Sequence, residues 1–200
     1  MRILIAPDGF GGTLSAVQAA EAMAAGWRQT APGDTVELAP LSDGGPGFVD
    51  VLAAALATST LLAVGVQDPR GSTVPASLLL DGATAYVESA QACGLHLLVE
   101  RDPTTTTTYG VGQLVRAATD AGATRIVVGL GGSATNDGGA GMLAALGLTA
   151  LDAVGAALAP GGLALRRADR LVGGVAPVEL VAATDVDAPL LGLYGASAVF

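Results

Sequence analysis

Two hundred residues, half of them hydrophobic, allow one large domain or two small ones with a sizeable core of small aliphatic side chains. The formal charge of −9 argues against nucleic acid or an anionic membrane as partner, and all nine basic residues are Arg, which excludes motifs that need a Lys. The single cysteine, Cys93, excludes an internal disulfide and fits a reducing cytoplasm, while no segment reaches the ~18 apolar residues of a membrane span or shows a signal-peptide pattern.

In chain order, "RILIA" (2–6) predicts a buried strand ending at Pro7. Residues 15–27 predict a helix. Ser15 and Gln18 form a capping box at its start, Leu14, Val17, Ala20, Ala24 and Trp27 recur at helical spacing, and Trp27 reads as core. "TVELA" (35–39) predicts a second strand and "FVDVLAAAL" (48–56) a second helix with Pro46 near its start. This order implies a parallel sheet with helices on its faces. Residues 73–89 then predict an antiparallel hairpin turning at Asp81-Gly82. The threonine run 104–108 reads as an extended, solvated loop, with hydroxyls beside a ligand as the other reading. A helix over 111–121 carries Val111, Leu114, Val115 and Ala118 on one face. A strand at 125–130, a helix at 141–147 and a strand at 178–185 follow. His96 reads as a packed or surface histidine, Cys93 as buried and inert, Met142 as core, and Arg166 to Arg170 as a solvated face.

In a parallel sheet, ligands gather at the carboxyl ends of the strands. The exits predicted here hold Asp8, then Ser42-Asp43-Gly44-Gly45, then Gly131 to Gly139, then Asp185 and Asp187. Two glycine loops echo each other, "SDGGPGF" (42–48) and "NDGGAGM" (136–142), and each leads into a helix. Facing one cleft, they would offer bare N–H groups and helix starts to an anion such as phosphate. Neighbouring carboxylates would hold magnesium or accept a proton. A Walker A loop is excluded because the chain has no Lys. "GLGGSA" (129–134) also fits a dinucleotide fingerprint, which keeps an oxidoreductase as an alternative, although that fingerprint's helix should open within it.

The segments "APDGFGGTLSA", "LSDGGPG", "YGVGQL", "GLGGSATNDGGAGMLAALG" and "ATDVDAPLLG" resemble the bacterial type I glycerate kinase family, in the family's order. The resemblance implies an α/β fold: a flavodoxin- or Rossmann-like parallel lobe over 1–60 and a second, mixed α/β lobe with the hairpin over 61–200. It implies transfer of a phosphoryl group from ATP, with Mg2+, to D-glycerate, giving 2-phosphoglycerate in the cytoplasm. It makes Asp8, Asp137 and Asp185 catalytic candidates and Asp185 with Asp187 metal candidates. Asp43, Gly44, Gly45, Gly131, Gly132, Ser133, Asn136, Gly138 and Gly139 become substrate- or nucleotide-binding candidates. Which Asp is the base and which holds metal stays open. Arg101 is the candidate for the positive charge that a Lys would otherwise supply.

The chain departs from the family pattern at Gly9, where Ser is usual, Gly11, where Lys is usual, and Pro46, where Glu is usual. Members of the family run to nearly twice this length, so the fold is expected to be C-terminally truncated. The 200-residue chain is therefore expected to be inactive alone and poorly behaved, with the apolar end Ala198-Val199-Phe200 uncovered. A relative that binds ligand without turning it over is the further alternative.

Overall fold

The computed structural model describes residues 1–196. The apolar end Ala198-Val199-Phe200 lies outside the described residues. β1 (Arg2–Ile5) and β2 (Thr35–Leu38) pair in parallel as a two-stranded sheet. α1 (Ala16–Thr30) connects them, and the expected capping box sets its start. Ser15 Oγ accepts the Gln18 N–H at 3.2 Å, and Gln18 Oε1 accepts the Ser15 N–H at 3.0 Å. The buried stripe of α1 is Ala16, Ala19, Ala20 and Ala24, which meets Ile5 and Val36. Trp27 departs from the expected core. It is 38 % exposed and its Nε1 donates to Asp34 Oδ2, because two strands give too little sheet to cover the last turn of the helix.

α2 (Phe48–Ala55) lies against the larger sheet, where Phe48 and Val49 pack on Leu79. That sheet has five strands in the order β3 (Thr60–Gln67), β4 (Thr73–Asp81), β5 (Thr84–Glu88), β6 (Arg125–Gly129), β9 (Glu179–Ala183). The pairs β3–β4 and β4–β5 are antiparallel, and the pairs β5–β6 and β6–β9 are parallel. The expected hairpin is present, with its turn one residue further on. Asp81 pairs with Thr84, so Gly82-Ala83 is the loop, and Gly82 takes the positive φ (+58°) that the first position of such a turn needs. β3 is an edge strand that the sequence reading missed. The register sets Glu88, Gly129 and Ala183 side by side, so three parallel strands end level.

α3 (Ala90–Cys93), α4 (Tyr109–Asp120) and α5 (Ala140–Ala145) complete the layer. The expected face of α4 is buried: Val111, Leu114, Val115 and Ala118 close on Leu78, Val87 and Ile126. Met142 packs against this core, and Cys93 is inside it. β7 (Leu148–Leu151) and β8 (Arg170–Gly173) form a separate antiparallel ribbon, also unforeseen. Arg167 is not merely solvated, since its guanidinium donates to the buried Asp152 at 2.6 Å.

Candidate active site

The exits of β1 and β2, the end of β5, His96 and Gly132 surround one cleft of about 720 Å³. That is within the ~300–1,000 Å³ usual for small-molecule sites. Asp8 and Asp43 stand exposed at the two strand exits on its wall. Asp8 Oδ1 accepts the Gly9 N–H at 2.6 Å, and Asp43 Oδ1 accepts the Gly45 N–H at 2.8 Å. A local N–H therefore orients each carboxylate. Asp50 and Glu88 are on the same wall, and no Lys or Arg is. His96, expected as a packed or surface residue, is exposed on this wall. Arg101 is exposed elsewhere.

The first glycine loop does not present bare N–H groups. The Gly44 N–H donates to Ser42 Oγ and the Gly45 N–H to Asp43, while those of Gly47 and Val49 donate to Glu88 Oε2. Its glycines serve close approach instead. A Cβ on Gly131 would lie 2.6 Å from Gly45 Cα, and one on Gly44 would strike the Ala183 carbonyl. The two loops thus meet backbone to backbone where β6 and β9 end. Gly132, with φ +63°, stays on the cleft wall beside Pro46. Its C=O accepts the Leu95 N–H at 2.8 Å, and its own N–H has no partner among the described residues.

The second loop is closed in the same way. Asp137 was expected to be catalytic, but it is 2 % exposed and off the cleft wall. Its carboxylate accepts the Thr108 N–H at 2.8 Å, the Gly139 and Gly141 N–H groups at 3.1 Å each, and the hydroxyls of Thr107 and Thr108. Asp137 is a clamp between the start of α5 and the threonine run. The run is solvated only at its start: Thr104 and Thr105 are exposed, whereas Thr106 and Thr107 are buried, and Thr106 Oγ1 donates to the Ala134 carbonyl at 2.8 Å. Gly138 and Gly139 turn the chain into α5 at positive φ and do not reach the cleft. Ser133 and Asn136 are exposed outside it, with Ser133 Oγ 3.6 Å from Cys93 Sγ. Burial pushes the Cys93 thiol pKa up, which suits its expected inertness. Asp185 and Asp187, the expected metal pair, are exposed beyond β9 and off the cleft wall. Among the described residues no three His, Cys, Asp or Glu side chains gather as a metal site.

The glycerate kinase family model matches residues 3–200. The chain belongs to the glycerate kinase family. It is 46 % identical to a glycerate kinase of Bacillus subtilis strain 168 over 100 % of this chain and 54 % of that protein. It is 41 % identical to the glycerate 2-kinase of Escherichia coli K12, over 100 % of this chain and 55 % of the relative. A crystal structure of a provisionally named glycerate kinase 2 from Salmonella typhimurium LT2 superposes with a TM-score of 0.84 at 42 % identity, over 100 % of this chain and 56 % of that one. The chain thus spans about half the length of the curated relatives it matches.

Membership of the glycerate kinase family displaces the dinucleotide reading, and so does the local geometry. After Gly129 the backbone runs as loop until α5 opens at Ala140, so no helix starts within "GLGGSA". No helix among the described residues is long and apolar enough to cross a membrane. Two acids of the cleft wall, Asp50 and Glu88, escaped the sequence reading. Glu88 ends β5, is 5 % exposed, and accepts the Gly47 N–H at 3.0 Å and the Val49 N–H at 3.3 Å. Burial raises its pKa, and the nearby Asp50 charge adds to this against the lowering effect of the two N–H groups and Gln91. The signal was the acid closing the apolar run "TAYVE", but a hairpin strand is not inspected for a parallel exit.

Proposed function

We propose that the chain carries the substrate cleft of a glycerate kinase, which transfers the terminal phosphoryl group of ATP to the 2-hydroxyl of D-glycerate. Support comes from the family and from the relative named glycerate 2-kinase. The observation that carries the reading is the pair of exposed strand-end carboxylates, Asp8 and Asp43, on one cleft of ligand size. Phosphoryl transfer is mostly positioning and charge neutralisation. Asp8 or Asp43 accepts the hydroxyl proton, and the Gly132 N–H meets an anionic oxygen. Magnesium enters with the nucleotide as part of the substrate. A cytoplasmic location goes with this reading.

A second reading, ligand binding without turnover, is favoured by the lack of any Lys or Arg on the cleft wall. Because the 200-residue chain is expected to be inactive alone, phosphorus NMR of the protein at the full length of its curated relatives, mixed with Mg-ATP and D-glycerate, separates the two. The kinase reading predicts a 2-phosphoglycerate signal whose rate falls ~10²-fold in Asp8→Asn or Asp43→Asn, the size of a general-base contribution. Unchanged ATP with glycerate still bound selects the second reading.

A further inference from the structure

The start of α2 has the makings of an anion site, since free N–H groups and the helix dipole there attract phosphate and carboxylate. In this chain that place is taken. Glu88, nine-tenths buried, reaches it from the end of β5 and accepts the N–H groups of Gly47 and Val49. The preceding donors of the loop go to Ser42 and Asp43, and the Phe48 N–H goes to the Gly45 carbonyl at 3.1 Å. Asp43 and Asp50 add negative charge to the same wall. On the part of the wall beside Pro46, the Gly132 N–H has no partner among the described residues.

We propose that Glu88 is a specificity-determining residue whose carboxylate occupies the anion site at the start of α2, denies it to a ligand's phosphate or carboxylate, and turns the anionic end of the ligand towards Gly132. The inference rests on the kinase reading only in taking the ligand to be anionic. A ligand hydroxyl suits the acidic end, where carboxylates accept its hydrogen bond. A second anion would meet like charge there, and the N–H groups of Gly44, Gly45, Gly47, Phe48 and Val49 are already engaged.

Inorganic phosphate titrated into the 200-residue chain, followed by amide NMR, tests this. In the wild type, phosphate is expected to move the Gly132 amide and leave those of Gly47 and Val49 in place. In Glu88→Ala it should move Gly47 and Val49, with affinity there raised ~10-fold or more, the scale of a gained charge-assisted site. Glu88→Gln, which keeps an acceptor oxygen but no charge, should fall between. Phosphate moving Gly47 and Val49 in the wild type overturns the proposal, as does a folded Glu88→Ala that gains no affinity, the result expected of a purely structural Glu88. If Glu88→Ala does not fold, equal phosphate affinity in Glu88→Gln and wild type overturns it. Failure of the protein at the full length of its relatives to phosphorylate glycerate strikes the kinase reading and leaves this comparison standing.

Discussion

Asp137 and Glu88 are both carboxylates spent on helix starts, and they differ in what surrounds them. Asp137 receives five donors and lies off the cleft. Asp137→Ala leaves buried N–H and O–H groups unpaired, so we expect a loss of ~2–5 kcal/mol. Urea unfolding measures it, and a loss below about 1 kcal/mol would show that the clamp is dispensable. Glu88 has two backbone donors and a pKa raised chiefly by burial. A raised folded-state pKa means that the folded chain holds the proton more tightly than the unfolded chain. Its contribution to stability is therefore full below the ordinary Glu pKa and is lost as pH rises through the folded value. Glu88→Gln has no such titration. From the ordinary Glu pKa up to the raised folded value, its stability relative to wild type should rise with pH. A difference that stays flat with pH would mean that the folded and unfolded pKa values of Glu88 are equal.

At the scale of elements, local chemistry was legible, and pairing was legible only for the β4–β5 hairpin and the parallel β1–β2 pair. The capping box of α1 and the apolar face of α4 follow from short-range spacing, and both are present. β3, β7 and β8 were missed because their strand character comes from partners. β3 is an edge with Leu61 54 % exposed, and every residue of β8 is exposed. The glycine loops show the same limit. Glycine pairs after a strand are equally suited to cradling an anion and to letting two backbones touch, and the choice depends on what stands opposite. Gly131 stands against Gly45. A methyl group there forces the loops apart, so Gly131→Ala should cost ~1–3 kcal/mol as an overpacked contact. Thermal unfolding checks this, and an unchanged melting temperature would mean that the loops have room to part.

At the scale of the molecule, the exits of the parallel pair β1–β2, the end of β5 and the loop after β6 supply the walls of one cleft. Of the site residues expected from the sequence, Asp8, Asp43 and Gly132 line it, whereas Asp137, Asp185 and Asp187 do not. Asp8 and Asp43 were legible because an acid directly after a predicted parallel strand needs no tertiary knowledge. The placement of the others depended on loops folding back on themselves. The claim that this cleft binds the substrate is tested most directly by titrating D-glycerate into the chain and mapping which backbone amides move. We predict saturable shifts at Asp8, Asp43 and Gly132 and none at Asn136 or Asp187. Shifts centred on the loop after β9, or no shifts at saturating glycerate, would contradict the account.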